Sequence, residues 1–183
     1  MCLPFLASAA VEAVATHDCK TTPFDLQWPS PAEWVLLNRS IDGSLLRTTL
    51  AASSCWPGDP FGSLTSCESV AGNWPDGLWH AMQPESIDYQ IYANNSCLPN
   101  GSAGYFTDKG CTIGAFPQYI VNATTEEHLA TSMKWAAERN IRIVVKGTGH
   151  DLNGRYARVP YRLGANAKLL QIKRRLFYVY LDP

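Results

Sequence analysis

Residues 141–156 read I-R-I-V-V-K-G-T-G-H-D-L-N-G-R-Y and join an apolar run to a glycine-rich loop with one histidine. Gly147 and Gly149 lack a Cβ, so the backbone there can approach a ligand closely and take positive φ angles. Consecutive N–H groups in such a turn can converge on an anion. The pattern favours a cradle for a phosphorylated cofactor, with His150 placed to reach it. The alternative is a plain turn after a strand, the commoner role of short glycine-containing loops.

The sequence just before this loop predicts a strand, a helix and a second strand. Residues 119–121 are a short strand candidate, and T-T-E-E at 124–127 is a capping box that opens a helix to about Arg139. Asn140 can end that helix in the left-handed conformation. The strand 141–145 then completes a βαβ unit, which implies a right-handed crossover and parallel pairing. Ligands of such units bind beyond the carboxyl ends of the strands, where the glycine loop lies. The predicted buried stripe of the helix is Leu129, Met133, Ala136 and Ala137.

The first half of the chain is predicted to hold two helices and a long irregular segment. S-P-A-E at 30–33 is a capping box with proline at the first helical position, followed by a helix that turns Trp34 and Leu37 inward. A second helix is predicted near 62–74, and residues 75–116 read as loop-rich and tied down by cystine. The stripe of the second helix would be Leu64, Cys67, Ala71 and Trp74.

Composition and charge narrow the functional class. The chain has 183 residues and 46% hydrophobic residues, enough for one domain or slightly more. Residues 155–183 carry seven Lys or Arg and one Asp, a net charge of +6. The whole chain has a net charge of −1, so residues 1–154 have a net charge of −7. We therefore expect no nucleic-acid partner for the acidic body, because phosphate binding needs clustered cations. We also expect no membrane span, since no apolar stretch approaches about 20 residues.

The N-terminus and the sequons indicate secretion. Residues 1–15 are short and mostly apolar, and A-V-A at 13–15 fits a signal-peptide cleavage site, although an N-terminal helix of the domain is the alternative. An extracellular location would agree with the N-x-S/T sequons, which are candidate glycosylation sites. These sequons lie at Asn38, Asn94, Asn100 and Asn122.

The cysteines indicate disulfides, not metal. None of the six forms a C-x-x-C pair, so no metal site is predicted. Cys55 with Cys67 and Cys97 with Cys111 would close short loops and are the preferred pairs, although sequence alone does not determine connectivity. Cys19 would then have no partner in the mature chain.

The segments P-Q-Y-I-V-N-A-T-T-E-E-H and I-R-I-V-V-K-G-T-G-H-D-L-N-G-R, together with the upstream C-K-T-T-P-F-D-L-Q-W-P-S, resemble a known family. The family is that of the secreted fungal FAD-linked oxidoreductases of the vanillyl-alcohol oxidase superfamily, which includes the berberine-bridge-enzyme-like oxidases. The resemblance covers residues 19–155. It implies an α+β fold, the N-terminal part of a PCMH-type FAD-binding domain with one βαβ unit.

The resemblance implies roles for the glycine loop. Its backbone N–H groups would bind the FAD pyrophosphate, and His150 would bond covalently to the 8α carbon of the flavin through a neutral imidazole. Asp151 would orient that imidazole or cap the turn, and Arg155 would pair with a phosphate or remain solvated. The implied cofactor-binding residues are Lys146, Gly147, Thr148, Gly149, His150, Asp151, Gly154 and Arg155.

The resemblance ends at Arg155, and the implied organisation follows from that. Residues 1–15 would be the signal peptide, 16–116 a cystine-containing region with two helices, 117–155 the start of the FAD-binding domain, and 156–183 a non-homologous basic tail. The tail would come from a truncated or mis-spliced gene, or would be a genuine basic segment that binds an acidic partner. The catalytic residues would lie in sequence beyond the truncation. One pair of parallel strands buries its faces poorly, so we expect the chain to be marginally stable and inactive.

Two functions remain in competition. The first is an FAD-dependent oxidase that takes hydride from a small organic substrate and passes electrons to O₂. The second is a non-enzymatic, secreted, cystine-rich binding module. A hydrolase is disfavoured because the sequence has no G-x-S-x-G elbow. His80 and His128 are predicted to be surface or capping residues.

Overall fold

The computed structural model describes residues 20–87, 90–147 and 177–182. Their helices are α1 (Pro31–Ser40), α2 (Cys67–Asn73), α3 (Gly77–Met82) and α4 (Glu126–Glu138). Their strands are β1 (Leu45–Arg47), β2 (Tyr119–Ala123), β3 (Arg142–Lys146) and β4 (Phe177–Asp182). Three 3₁₀ turns lie at Ala51–Cys55, Gln90–Ala93 and Thr107–Lys109. The chain is therefore a mixed helix-and-strand fold, which confirms the predicted fold class.

The four strands form one sheet in the order β1-β2-β4-β3, and every pairing is antiparallel. Strands β2 and β3 are parallel to each other because both run opposite to β4. The predicted direct pairing of β2 with β3 is wrong, since β4 lies between them. The unit β2–α4–β3 is a split βαβ. The expected shortage of strands is also wrong, because a strand from the segment assigned to the basic tail completes the sheet.

Helices α1 and α4 cover one face of this sheet. The capping box at Ser30 is formed as predicted, with the Glu33 carboxylate accepting from the Ser30 N–H at 2.9 Å. Trp34 and Leu37 are buried as predicted. Asn140, at φ 54°, follows the end of α4 in the left-handed conformation, also as predicted. The buried cluster on this side contains Trp34, Leu37, Ile41, Val121, Ala123, Ala136, Ile141, Val179 and Leu181.

Two helical predictions differ from the structure. The second helix begins at Cys67, not near residue 62, because Ser66 is its N-cap and accepts from the Ser69 N–H. Leu64 and Ala71 of the predicted stripe are exposed, and Val70 is the buried residue of α2. In α4 the N-cap is Thr125, which accepts from the His128 N–H, and Ala137 is exposed. The buried positions of α4 are therefore shifted toward His128, Ser132 and Ala136.

The other face of the sheet meets a segment that we call the cystine lobe, residues 48–116. Side chains alternate between the two faces along a strand. Ile120 and Lys146 therefore face away from Val121 and Ile143, and Lys146 reaches the backbone of the lobe. The lobe has its own small buried cluster of Leu50, Ile87, Ala93, Cys97 and Phe116. No helix in the described ranges is both long and apolar enough to cross a bilayer.

Candidate functional site

The carboxyl end of β3 holds the described part of the predicted cofactor loop. β3 ends at Lys146, and Gly147 follows. Apart from its chain neighbours, no heavy atom of the described residues lies within 4 Å of the position that a Cβ on Gly147 would occupy. The strand is fixed along its length because residues 142–146 pair with residues 182–178 of β4. The loop therefore leaves a rigid strand at a point where a ligand can approach the backbone.

Lys146 is fully buried, and its ammonium lies among backbone carbonyls at the end of α3. Nζ donates to the carbonyl oxygens of His80 at 3.4 Å, Gln83 at 2.5 Å and Pro84 at 3.4 Å. The last carbonyls of a helix have no partners within the helix, and a cation near them is stabilised by the helix dipole. The side chain of Lys146 thus ties the end of β3 to the cystine lobe.

His80 fixes the lobe segment that receives Lys146. Its Nε2 lies 2.7 Å from the Trp74 carbonyl oxygen, which can only accept, so Nε2 carries a proton. Its Nδ1 lies 2.5 Å from Ser86 Oγ. The surface alternative for His80 is wrong, because the residue is 5% exposed. Its ring links the carbonyl of Trp74, the C-cap residue of α2, to Ser86 after α3.

Glu85 is a second buried ionisable group beside this contact. Its Oε1 accepts from the Ala51 N–H at 3.0 Å. Burial raises the pKa of Glu85, and this effect outweighs the backbone hydrogen bonds from Glu85 and Ala51 and the positive charge of Lys146, which all lower it. The same carboxyl lines a cleft of about 260 Å³ between β1 and the lobe.

His128 was also predicted to be a surface or capping residue, and the surface alternative is wrong here too, because the residue is 5% exposed. Its Nδ1 lies 3.2 Å from Ser44 Oγ and its Nε2 lies 3.3 Å from Asp42 Oδ2. The ring therefore joins the start of α4 to the turn between α1 and β1. A histidine three residues after a Thr cap is the available sequence signal, since the first turn of α4 faces the sheet.

The remaining predicted site residues divide into two groups. Thr148, Gly149, His150, Asp151, Gly154 and Arg155 lie outside the described residues, as do Cys2 and Cys19.

Both preferred cysteine pairs, Cys55–Cys67 and Cys97–Cys111, are disulfides. Across the described ranges no group of three or more His, Cys, Asp or Glu residues is arranged to hold a metal ion.

A polar cleft of about 410 Å³ lies beside the end of α4. It is lined by residues before α1 and at the end of α4, where Lys20 Nζ donates to Asn140 Oδ1 at 2.9 Å. Arg139 also lines it, with its guanidinium 4.2 Å from the ring centre of Trp135. The Lys20 contact joins the entry segment to the end of α4.

Comparison with known proteins places this arrangement in a family. The chain is 35% identical over 159 residues to the VAO-type flavoprotein oxidase VAO615 of Thermothelomyces thermophilus, covering 82% of this chain and 26% of the relative. It is 39% identical over 146 residues to the FAD-linked oxidoreductase apf9 of Gibberella fujikuroi, covering 80% and 24%. No family model matches.

Solved structures agree with the sequence relatives. The crystal structure of the VAO-type flavoprotein MtVAO615 from Myceliophthora thermophila C1 matches with a TM-score of 0.65 at 33% identity, over 76% of this chain and 25% of that one. MtVAO713 from the same organism matches with a TM-score of 0.64 at 32% identity. The chain spans about a quarter of the length of the curated relatives it matches. It is therefore a homologue of the fungal VAO-type flavoproteins and FAD-linked oxidoreductases over about a quarter of their length.

Proposed function

We propose that this chain supplies the phosphate-binding loop of an FAD-dependent oxidoreductase. The observation that carries the proposal is the end of β3, where Gly147 directly follows a strand anchored by Lys146 and, apart from its chain neighbours, a Cβ on it would meet no heavy atom of the described residues. Homology to FAD-linked oxidoreductases supports FAD as the ligand at that point. A glycine without a Cβ lets a diphosphate approach the backbone N–H groups that follow.

The loop residues would act on the cofactor as follows. Backbone N–H groups of residues 147–154 would bind the FAD pyrophosphate, and Arg155 would add a bidentate contact to a phosphate. His150 would carry the covalent link to the flavin through its neutral imidazole, with Asp151 orienting the ring. The side chain of Lys146 would hold the loop's origin in place, because its ammonium is directed to the carbonyls of residues 80, 83 and 84.

Bound FAD supplies two-electron oxidation chemistry, so the reaction would be hydride removal from a small organic substrate with O₂ as electron acceptor. In this chain the residues that hold the cofactor would be present. The residues that bind the substrate and move its protons would come from the sequence that the relatives have beyond this quarter. We therefore propose that the chain alone turns over no substrate.

We also propose that the protein is extracellular. The two disulfides support this, because such bonds persist in oxidising compartments and are rare in the cytosol. A covalent flavin would suit that location, since a cofactor lost into the medium would not be replaced.

The test is the flavin content of the protein purified from its native host. Denatured, acid-precipitated protein should keep flavin fluorescence, and His150→Ala should abolish the covalent signal. His17→Ala is the matched control and should keep it. Flavin that is bound but released on denaturation would refute the covalent link alone. Absence of any flavin from a folded, secreted chain would refute the FAD proposal and favour the cystine-rich binding module.

A further inference from the structure

The four N-x-S/T sequons occupy different environments in the fold. Asn94 and Asn100 have exposed side chains, whereas Asn38 and Asn122 are half-buried. A glycan is bulky and hydrophilic, so it is compatible only with a surface position. All four sites have the same sequence motif, but the fold exposes two of them and half-buries the other two.

Asn94 and Asn100 both lie in exposed turns of the cystine lobe. Asn94 follows the 3₁₀ turn Gln90–Ala93 at φ 57°, and its Oδ1 accepts from Lys109 Nζ at 3.2 Å on the surface. Asn100 lies in a turn closed by the Ser102 N–H to the Pro99 carbonyl at 3.2 Å. Neither hydrogen bond uses the Nδ2 atom of Asn94 or Asn100, so a sugar can extend from that atom into solvent.

Asn122 lies in β2, which is paired on both sides by β1 and β4. Its Oδ1 is buried and finds no hydrogen-bond partner among the described residues. Its side chain is on the sheet face that meets the cystine lobe, opposite Val121. The side chain is half-buried with its Oδ1 enclosed, so a bulky glycan on Nδ2 would crowd the paired strands, and a glycosylated chain would not reach this fold.

Asn38 lies in the last turns of α1, and its amide joins the helix to β1. Oδ1 accepts from the Leu45 N–H at 2.9 Å, and the main-chain carbonyl of the same residue accepts from Gly43 at 2.8 Å. The side chain therefore completes the turn that sets the start of the sheet. A sugar on the same half-buried amide would displace it from that turn.

We infer that Asn94 and Asn100 carry N-linked glycans and that Asn38 and Asn122 do not. The inference rests on the proposed secretion. In the reaction, Nδ2 bonds to the anomeric carbon of a lipid-linked oligosaccharide, the lipid diphosphate leaves, and the amide loses one proton. Addition occurs as the chain enters the secretory pathway, so the fold determines which glycosylated chains mature.

The two glycans would also define an outward surface. Asn94 follows the exposed side chains of Ile91 and Tyr92, and Asn100 lies inside the loop closed by Cys97 and Cys111. A glycan needs solvent on all sides, so this part of the lobe faces away from whatever else packs on the protein.

The experiment is site-by-site mapping of the secreted chain. The full chain is expressed in a fungal host, once with its own N-terminus and once behind an established secretion leader, and is digested with a peptide N-glycosidase in H₂¹⁸O. Asn94 and Asn100 should appear as ¹⁸O-labelled Asp, and Asn38 and Asn122 as unmodified Asn. Asn94→Gln and Asn100→Gln should each remove one glycan from the intact mass. Thr124→Ala destroys the sequon at Asn122 without changing the asparagine, and should leave the mass of the glycans unchanged.

Labelled Asp at position 122 or 38 in folded protein would overturn the assignment, as would unmodified Asn at both 94 and 100. Occupancy of only one of the exposed sites would overturn the assignment for the other. Failure of the native N-terminus to direct secretion would refute the proposed location alone, because the leader-directed chain still tests the sites.

Discussion

The two sides of the sheet are stabilised by different kinds of interaction. On the helical side, α1 and α4 pack apolar and aromatic side chains into one continuous cluster, and Trp34 stacks on Tyr119 at 4.0 Å between ring centres. In the cystine lobe, a cluster of only five buried hydrophobic residues is supplemented by two disulfides. Side chains there bond to backbone, as in the contact of Trp56 Nε1 with the Leu98 carbonyl at 3.0 Å. A segment with little regular structure must satisfy its buried backbone groups residue by residue.

The largest loss of stability is expected from a substitution on the helical side of the sheet. Trp34→Ala should destabilise the fold by about 3 to 5 kcal/mol, because it leaves a cavity beside the rings of Trp28, Tyr119 and Trp135. Val35→Ala, at the adjacent and 49% exposed position, is the control and should cost less than about 0.5 kcal/mol. Urea unfolding measures both. Equal losses would show that the aromatic cluster is not the centre of stability.

The second effect concerns the lobe. Replacing Cys97 and Cys111 together by Ala should cost about 3 kcal/mol, the value for a loop of this size. Hydrogen exchange should show the loss in residues 93–113, while the amides that pair β2 with β4 keep their protection. Reduction of the wild-type protein should give this loss together with a second loss around Cys55 and Cys67, because it also breaks their disulfide. Loss of protection throughout the sheet would show that the lobe and the sheet form one cooperative unit.

The third effect tests the connection between the two sides. Lys146→Met should cost about 2 to 3 kcal/mol, because the carbonyls that accept from Nζ lose their donor inside the protein. Lys134→Met, at an exposed position of α4, is the control and should change stability by less than about 0.5 kcal/mol. In Lys146→Met the lobe should unfold at lower urea concentration than the sheet. A single transition at the wild-type midpoint would refute the role of Lys146 as the tie.

The smallest effect depends on pH and concerns Glu85. Its pKa in the folded state is raised by burial, so the stability contributed by the neutral carboxyl is present at pH values below the pKa of the unfolded chain. That contribution is lost as the pH rises through the raised pKa of the folded state. Glu85→Gln stays neutral and keeps an acceptor for Ala51, so it should be more stable than wild type at neutral pH and similar at low pH. Thermal unfolding across this range measures the difference, with the exposed Glu68→Gln as control. A difference that does not change with pH would contradict the assignment.

Local signals in the sequence predicted some elements well. Two features depend only on residues within one turn of the chain: the capping box of Ser30 and Glu33, and the left-handed conformation of Asn140. They can therefore be predicted without knowledge of the fold. The strand before Lys146 was predictable from its apolar run for the same reason. The start of the second helix was missed because Ser66 caps it, and Leu64, apolar but exposed, continued the pattern before it. His80 and His128 were predicted to be surface or capping residues, because burial depends on packing and not on local sequence. The partners of His128, Ser44 and Asp42, are 84 and 86 residues distant, whereas those of His80 are only six residues away.

What the sequence could predict about the candidate site also depended on how close its residues lie in the chain. The glycine loop could be proposed as a cofactor site because its residues are contiguous, and that proposal stays a prediction for residues 148–155, which lie outside the described ranges. The environment of Lys146 was not recognisable, since the carbonyls that surround its ammonium belong to residues 80–84. The sequence suggested a direct cofactor contact for this lysine, whereas its side chain is directed to the cystine lobe.

By itself the sequence determined the fold class and the resemblance to FAD-linked oxidoreductases, because both depend on contiguous motifs. The two cysteine pairs were preferred from their short loops, and the structure decided them. The tertiary structure decided that β4 separates β2 from β3, that Lys146 is a buried tie, and which sequons face solvent. These features depend on which distant segments meet. A strand order or a burial pattern is a property of packing, and the residues that determine it are not neighbours in the chain.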